Sequence, residues 1–537
     1  MLAYSGLYWF VLVYAGLYWS ILVCIGLYWP ILVYVGLYWS ILVCTGFHRV
    51  SEELQFVGRC LAVNPKSYGA WHHRSWVLRS HPDPTKEGGV CDRMLEADPR
   101  NFHAWEHRRA LWSALGSAPL GSPLGSAPLG SSPLGSPLGS VSPPDAELSF
   151  CSSLLSRDFS NFSAWHHRGE LLRKHGRHGD SHVLKGELEL VQSAVFTDPQ
   201  DHSPWVYLRC LMARASPPPR VIGVHLDVED GAASVTFSRP IASAPQLTLY
   251  GRPVTPWSSA ERHGRPSCTW VCKLPADLAT PLAENEPIRA ACSHGSAHWE
   301  VELTPKGQGE AWWAEPLVPQ ELFWPEVGVA EPSIMAELIG ACRELLDMEP
   351  HSRGCLLTLL LLLAATDPMG SQEEMRRCLQ ALEEADPLRI GFVADMASRA
   401  ELVLGLLGEG AEPEELRLPY KGLSSLPLLE RLGGLSQLDL KGNRLRGLPR
   451  TVGAMRRLQV LDVSSNQIET LQGVPPLPRL RELRLDGNPI SHASALSPLA
   501  ACPRLSVLRL ADTPLATSPD AASRLAELLP RVAVVLS

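Results

Sequence analysis

At 537 residues the chain exceeds what one hydrophobic core organises, and about 150 residues per domain predicts three or four domains. Its 48 basic and 56 acidic residues leave a formal net charge of −8, so no global positive field exists for a nucleic-acid backbone, which excludes DNA or RNA as the main partner. The 13 cysteines are odd in number, scattered and without a CxxC pair, which argues against a disulfide scaffold and for a reducing compartment.

From residue 1 to about 45 a ten-residue unit recurs: Gly6-Leu7-Tyr8-Trp9, Gly16-Leu17-Tyr18-Trp19, Gly26-Leu27-Tyr28-Trp29 and Gly36-Leu37-Tyr38-Trp39, with Ile-Leu-Val runs between. Its length and apolarity suit one or two membrane-crossing helices, since about 20 apolar residues span a bilayer. Against that, Trp and Tyr recur throughout instead of forming two interfacial belts, and a period of ten fits neither a heptad nor a solenoid unit. Three readings stand: a translated tandem repeat or wrong gene start, a membrane segment, and a buried helix. The segment is set aside from the expected fold.

Four self-similar blocks follow. Asn64-Pro65-Lys66-Ser67-Tyr68-Gly69-Ala70-Trp71-His72-His73-Arg74 is matched by 98–108, by 158–168 and, more weakly, by 198–205 with Arg209 one place late. The tryptophans Trp71, Trp105, Trp165 and Trp205 are 34, 60 and 40 residues apart. A Gly-Ser-Pro-Leu stretch at 115–143 supplies roughly 26 extra residues in the middle gap. Its prolines forbid a helix, so it reads as a disordered insertion. What remains is the period of a helical hairpin. Each block opens on an Asp/Asn-Pro-type turn, then places an aromatic three residues before the Trp and an Arg three after it. Packing between hairpins explains the Trp and the aromatic, and a cap or a pair across repeats explains Arg74, Arg108 and Arg168. Members of the His72-His73 and His166-His167 pairs point about 100° apart on a helix and cannot serve one metal unaided. No metal is expected on this chain.

After Pro217-Pro218-Pro219 the period changes to two. Val224, Leu226 and Val228 alternate, Asp230-Gly231 offers a tight turn, and Val235 with Phe237 resumes. Leu247, Leu249, Trp270, Cys272, Leu274, Trp299, Val301 and Leu303 extend the pattern, enough for a β-sandwich without a disulfide. Helix returns at Pro332, and Asp347-Met348-Glu349-Pro350 begins a degenerate repeat whose inner helix is the apolar run 356–365, too short to cross a bilayer. From Glu414, Leu416-x-Leu418, Leu435-x-x-Leu438-x-Leu440-x-x-Asn443 and its copies at Leu458, Leu480 and Leu505 form five leucine-rich repeats, the last with Thr513 at the asparagine position. Each Asn is expected to satisfy backbone groups at the turn of the horseshoe.

The expected fold is multidomain: α-α helical-hairpin repeats, an inserted Ig-like β-sandwich and a C-terminal leucine-rich α/β solenoid. The boundaries are 1–47 for the apolar repeat, 48–216 for helical repeats, 217–330 for the sandwich, 331–410 for resumed helical repeats and 411–537 for the leucine-rich repeats.

The Trp-x-x-Arg core with its Asn-Phe/Tyr lead resembles the protein prenyltransferase α-subunit repeat. With the insert and the leucine-rich repeats in this order, residues 51–537 resemble the α-subunit family of Rab geranylgeranyltransferase. The resemblance implies a crescent around a catalytic β subunit that supplies Zn2+ and most of the isoprenoid pocket. It implies transfer of geranylgeranyl from geranylgeranyl diphosphate to C-terminal cysteines of Rab GTPases presented by a Rab escort protein, in the cytoplasm. Zinc would hold the acceptor as thiolate while charge builds on the leaving diphosphate, so a nearby cation would accelerate the step. By resemblance Lys66 matches a lysine facing that diphosphate, with Tyr68 beside it, and Asn101 and His103 match positions near the subunit groove. A solvated lysine at a helix start, and a helix cap with packing, are the plainer readings of the same residues. The alternative function is a non-enzymatic adaptor that binds proteins through its repeats.

Overall fold

The computed structural model describes residues 50–80, 84–116, 143–177, 180–213, 218–260, 266–275, 287–307, 309–316, 322–323, 332–409 and 414–537. The apolar ten-residue repeat and nearly all of the Gly-Ser-Pro-Leu stretch lie outside them. The chain divides into two compact units, one ending at Lys174 and one beginning at His175. Among the described residues no helix is long and apolar enough to cross a membrane.

The first unit is built from helical hairpins: α1 (Val50–Val63) with α2 (Tyr68–Ser80), α3 (Pro84–Ala97) with α4 (Phe102–Gly116), and α5 (Pro143–Leu155) with α6 (Phe162–Lys174). The second helices α2, α4 and α6 contact one another in turn, which seals Trp71, Trp105 and Trp165 at 4%, 1% and 1% exposure. Each indole nitrogen donates to the carbonyl six residues back: Trp71 to Pro65, Trp105 to Pro99, and Trp165 to Phe159, at 2.7, 2.9 and 2.7 Å. An indole so satisfied can be buried without an orphaned donor. The preceding aromatics behave otherwise. Tyr68, Phe102 and Phe162 stay 72%, 47% and 46% exposed, correcting the expectation that they pack between hairpins. Each is the first residue of its helix, at the end of the stack, where the next hairpin covers little of the ring: Tyr68 touches Phe102 and His103 yet stays mostly exposed.

The second unit opens with the same hairpin, α7 (Ser181–Thr197) and α8 (His202–Met212), where Trp205 Nε1 donates to Pro199 O at 3.0 Å. The helices resume as α9 (Pro332–Met348), α10 (Arg353–Thr366), α11 (Gln372–Ala385) and α12 (Ile390–Glu409). Helix α8 packs on α10. Ser352 Oγ donates to the same Pro199 carbonyl at 2.7 Å, so the degenerate repeat continues the array with serine as the cap. Leu356 and the leucines from 359 to 363 are buried within α10, as expected of an inner helix.

Between these helices lie β1 (Val221–Asp227), β2 (Ala232–Ile241), β3 (Gln246–Leu249), β4 (Arg252–Val254), β5 (Trp257–Ser259), β6 (Ser267–Lys273), β7 (Ile288–His294), β8 (Ala297–Gly307) and β9 (Glu310–Ala314). They form an antiparallel sheet in the order β4-β3-β7-β8-β9-β1-β2-β6-β5. Strand β8 pairs with β7 through its first half and with β9 through its second, so both ends of the sheet share one core of Val224, Leu226, Val235, Phe237, Leu247, Leu249, Ile288 and Leu303. Gly231 takes φ +57° in the β1–β2 turn, a region that favours glycine.

The C-terminal solenoid stacks parallel strands β10 (Glu415–Arg417), β11 (Gln437–Asp439), β12 (Val460–Asp462), β13 (Glu482–Arg484) and β14 (Val507–Arg509) in unbroken register. Asn443, Asn466 and Asn488 each donate to carbonyls of their own and the preceding turn and accept from a backbone N–H. Thr513 reaches only Leu510 O and Ala516 N. A further strand β15 (Ala533–Val535), after α13 (Ala521–Leu528), pairs with β14 and caps the stack. Its sequence lacks the Leu-x-x-Leu-x-Leu spacing and gives no repeat signal.

The sheet and the solenoid meet. Alternation sends Val224 and Leu226 into the sheet's own core and Gly223, His225 and Asp227 to the opposite face, yet every residue of β1 is buried. The solenoid covers that face: the 3-10 turns Leu429–Leu432 and Arg450–Ala454 contact β2 and β6, and Trp312 packs over Gly433 and Gly434, where an added Cβ would lie 3.1 and 3.5 Å from the indole.

Candidate functional site

The turns before α2 and α4 bring Lys66, Tyr68, Asn101 and His103 together. Asn101, fully buried, caps α4 by accepting from His103 N and Ala104 N at 3.1 and 3.3 Å. Its amide donates to Pro65 O at 3.0 Å. Pro65 O therefore receives both Trp71 and Asn101, which locks one turn to the next and fixes where Lys66 and Tyr68 emerge. Lys66 Nζ lies 2.8 Å from Asp98 Oδ2, and that hydrogen bond holds the Asp98 carboxyl below its usual range. The lysine side chain is still 59% exposed. The Tyr68 ring meets the His103 ring edge-on at 4.3 Å, and Phe102 lies 3.9 Å from the same imidazole. His103 is 5% exposed, and its Nε2 has no hydrogen-bond partner among the described residues. The result is an accessible ammonium and phenol on a rigid footing.

Behind this edge, two successive junctions between hairpins carry a buried Arg–Glu–His cluster. Arg74 donates through Nε and Nη2 to both oxygens of Glu87, at 2.7 and 2.6 Å, and His107 Nε2 is 3.2 Å from Glu87. Arg108 and His167 grip Glu147 likewise. Burial would raise both carboxyls, but the histidine and arginine hydrogen bonds overcome it and lower them. Burial pushes His167 below its ordinary range, against the hydrogen bond and charge of Glu147. His73–Glu53, His107–Glu87, His167–Glu147 and Tyr207–Glu187 all lie 20 residues apart. That constant offset is legible in the sequence, but it lies off the Trp-x-x-Arg face that marks the repeat. Arg74 and Arg108 pair across repeats. Arg168, 8% exposed, donates to Leu148 O and Ser152 Oγ. These groups are enclosed and, apart from His167 Nδ1, hydrogen-bonded among the described residues, so they serve the stack and not a substrate. His73 and His167 of the double histidines point to carboxylates. Among the described residues, no group of three His, Cys, Asp or Glu side chains is arranged to hold a metal.

Three family models match the chain. The protein prenyltransferase alpha subunit repeat matches residues 50–81, 85–115, 144–175 and 184–215. The Rab geranylgeranyl transferase alpha-subunit insert domain matches 221–315, and a leucine rich repeat model matches 433–490. The geranylgeranyl transferase type-2 subunit alpha of Sus scrofa is 38% identical over 505 residues, 91% of this chain and 84% of that protein. The Homo sapiens protein of the same name is 37% identical over the same shares. The chain belongs to the type-2 geranylgeranyl transferase α-subunit family. The Saccharomyces cerevisiae protein of that name is 28% identical over 167 residues, 29% of this chain and 45% of its own.

As a member of this family the chain is a protein prenyltransferase α subunit, with the helical repeats, β insert and leucine-rich repeats that the sequence led us to expect. The residues matched by the first repeat model include Lys66 and Tyr68, and those matched by the second include Asn101 and His103.

Proposed function

We propose that this chain pairs with a catalytic β subunit to transfer geranylgeranyl from geranylgeranyl diphosphate to C-terminal cysteines of Rab GTPases presented by a Rab escort protein, in the cytoplasm. The observation that carries the reading is the likeness to the Sus scrofa α subunit across 91% of this chain. Zinc is assigned to the β subunit on the family likeness; no step on this chain runs through the metal. We take the functional boundaries as 48–216, 217–330, 331–410 and 411–537.

This chain's own contribution is electrostatic. As carbon–oxygen cleavage loads charge onto the diphosphate, an ammonium within reach lowers the barrier. Lys66 is accessible, is held in place by Asp98, and can exchange that carboxylate for a phosphate oxygen. Tyr68 offers a hydroxyl beside it. Asn101 and His103 position the pair. In a heterodimer reconstituted with the β subunit, Lys66→Ala lowers turnover by about ten- to a hundredfold with little change in subunit affinity, on the scale of one lost transition-state donor. Unchanged single-turnover rates would remove the diphosphate role from Lys66.

A further inference from the structure

Lys66 has a counterpart that the likeness to the family repeat did not single out. Five residues before Trp71 stands Lys66, and five before Trp105 stands Arg100; the same place before Trp165 and Trp205 holds Ser160 and Gln200. Stacked repeats put equivalent positions on one edge, so of these four turns only the first two carry a cation there. A hydrogen bond ties the two together. Pro65, next to Lys66, accepts at 3.0 Å from the side-chain amide of the buried Asn101, next to Arg100. The two side chains therefore leave from mutually fixed points of the backbone, beside Tyr68 and His103.

One carboxylate serves both cations. Asp98 Oδ2 lies 2.8 Å from Lys66 Nζ, and its Oδ1 accepts from the Arg100 backbone N–H at 3.0 Å. The hydrogen bond from Lys66 above all, then that of the Arg100 backbone and the charges of both side chains, hold its carboxyl below the usual range against burial. The next turn repeats the backbone and not the pair. Asp158 accepts from Ser160 N at 3.0 Å, as Asp98 does from Arg100 N. Yet the exposed Arg100 guanidinium makes no ion pair with Asp158 or any other carboxylate among the described residues. Two cations against one carboxylate leave this accessible edge with an unanswered positive charge, carried by the side chain whose fork can take two oxygens at once.

We propose that Arg100 is a second cation of the leaving-group site: with Lys66 it grips the diphosphate of the prenyl donor, and Asp98 holds the pair ready until that anion displaces it. This rests on the reading of the chain as the α half of a prenyltransferase. In the transfer a carbon–sulfur bond forms from the acceptor thiolate as the carbon–oxygen bond breaks, and the electron pair of that bond leaves on pyrophosphate. Pyrophosphate carries more negative charge than one ammonium answers, and a guanidinium beside it lowers the same barrier. Asp98, which gives way, is a positioning residue.

The probe is inorganic pyrophosphate, titrated into the heterodimer reconstituted from the full-length chain and its β subunit. Arg100→Gln should weaken its binding about tenfold and slow single-turnover transfer about tenfold or more, and Arg100→Lys should recover most of both. Geranylgeraniol, the same lipid without the diphosphate, should bind the unaltered and variant enzymes alike. Asp98→Asn keeps an acceptor for Arg100 N and removes the competing charge, so it should tighten pyrophosphate about twofold or more; weaker binding would remove Asp98 from its part. In the unaltered heterodimer, bound pyrophosphate should shield Arg100 from phenylglyoxal in peptide mapping. Pyrophosphate affinity within about twofold for Arg100→Gln, or equal losses of pyrophosphate and geranylgeraniol, would overturn the assignment. A loss confined to the acceptor's KM would overturn it in favour of the acceptor's carboxylates. Should Arg100→Gln fail to assemble, the shielding decides: Arg100 equally reactive with and without bound pyrophosphate excludes the contact. An unaltered heterodimer that transfers no prenyl group removes the functional reading itself, whereas normal transfer by Arg100→Gln leaves that reading standing and removes only Arg100.

Discussion

Arg479 Nε donates to Asp227 Oδ2 at 2.6 Å, joining side chains 252 residues apart that are each 4% exposed. The same guanidinium places Nη1 3.0 Å from Glu310 Oε2, while His225 Nε2 and Arg457 Nε lie 2.6 and 2.9 Å from Glu310 Oε1. Strand pairing sets Asp227 opposite Glu310, which brings two carboxylates together on the face that the solenoid covers with two arginines. Arg220 and Arg431 share Glu315 at its edge, and Arg504 reaches Glu229 and Asp230. The insert and the leucine-rich repeats are therefore one mechanical piece.

Removing one partner of this buried network leaves the others charged and dry. Arg479→Met should destabilise the full-length protein by about 3 to 5 kcal/mol in urea unfolding, as breaking a buried ion pair does. In a cycle with Asp227→Asn, a coupling of at least about 1.5 kcal/mol is expected between sites in such direct contact. Additive effects would show that the two side chains are solvated apart in solution.

Stability should fall in two stages as pH drops. Burial lowers His225 and His167 below the ordinary 6.5. Below that value the unfolded chain takes up protons that the folded chain refuses, so stability present at neutral pH declines. For Glu310, burial alone would raise the carboxyl, but the hydrogen bond from His225 and the charge and hydrogen bond of Arg457 take it from 4.5 down to about 2. Asp227 goes from 3.8 to about 2, its hydrogen bond from Arg479 outweighing burial. A depressed carboxylate contributes above its unfolded pKa and loses that contribution as pH falls through its folded one. The second decline therefore spans about pH 4.5 to 2, worth up to about 3 kcal/mol for Glu310. Urea midpoints that are flat from pH 7 to 3, or higher at pH 5 than at 7, would contradict both assignments.

The 117–142 stretch should be dispensable for the array. Arg74 and Glu87 are 13 residues apart and Arg108 and Glu147 are 39 apart, yet the two pairs have the same geometry. The difference, 26, equals the length of 117–142, so deleting it restores the shorter spacing. Loop closure then costs less, and the helical unit should gain at most about 2 kcal/mol. A deletion variant that melts lower, or loses helical circular dichroism beyond the removed length, would show that the stretch supports the fold.

Local chemistry in the sequence determined the parts: tryptophan repeats with their turn signals gave hairpins, period-two alternation gave the insert, and Leu/Asn spacing gave the solenoid, because each pattern satisfies its own backbone within a few dozen residues. Lys66, Tyr68, Asn101 and His103 were singled out by the resemblance to the prenyltransferase α-subunit repeat, and the structure gathers them at adjoining turns. Other features were decided only by tertiary structure. The exposure of Tyr68, Phe102 and Phe162 depends on where the stack ends. The role of β1's polar face depends on what covers it: His225 and Asp227 read as a solvent-facing row until Arg457 and Arg479 arrive from more than 200 residues away. Alternation tells which residues share a face, but the partner of that face is set by chain topology, and a charge is buried or solvated according to that partner.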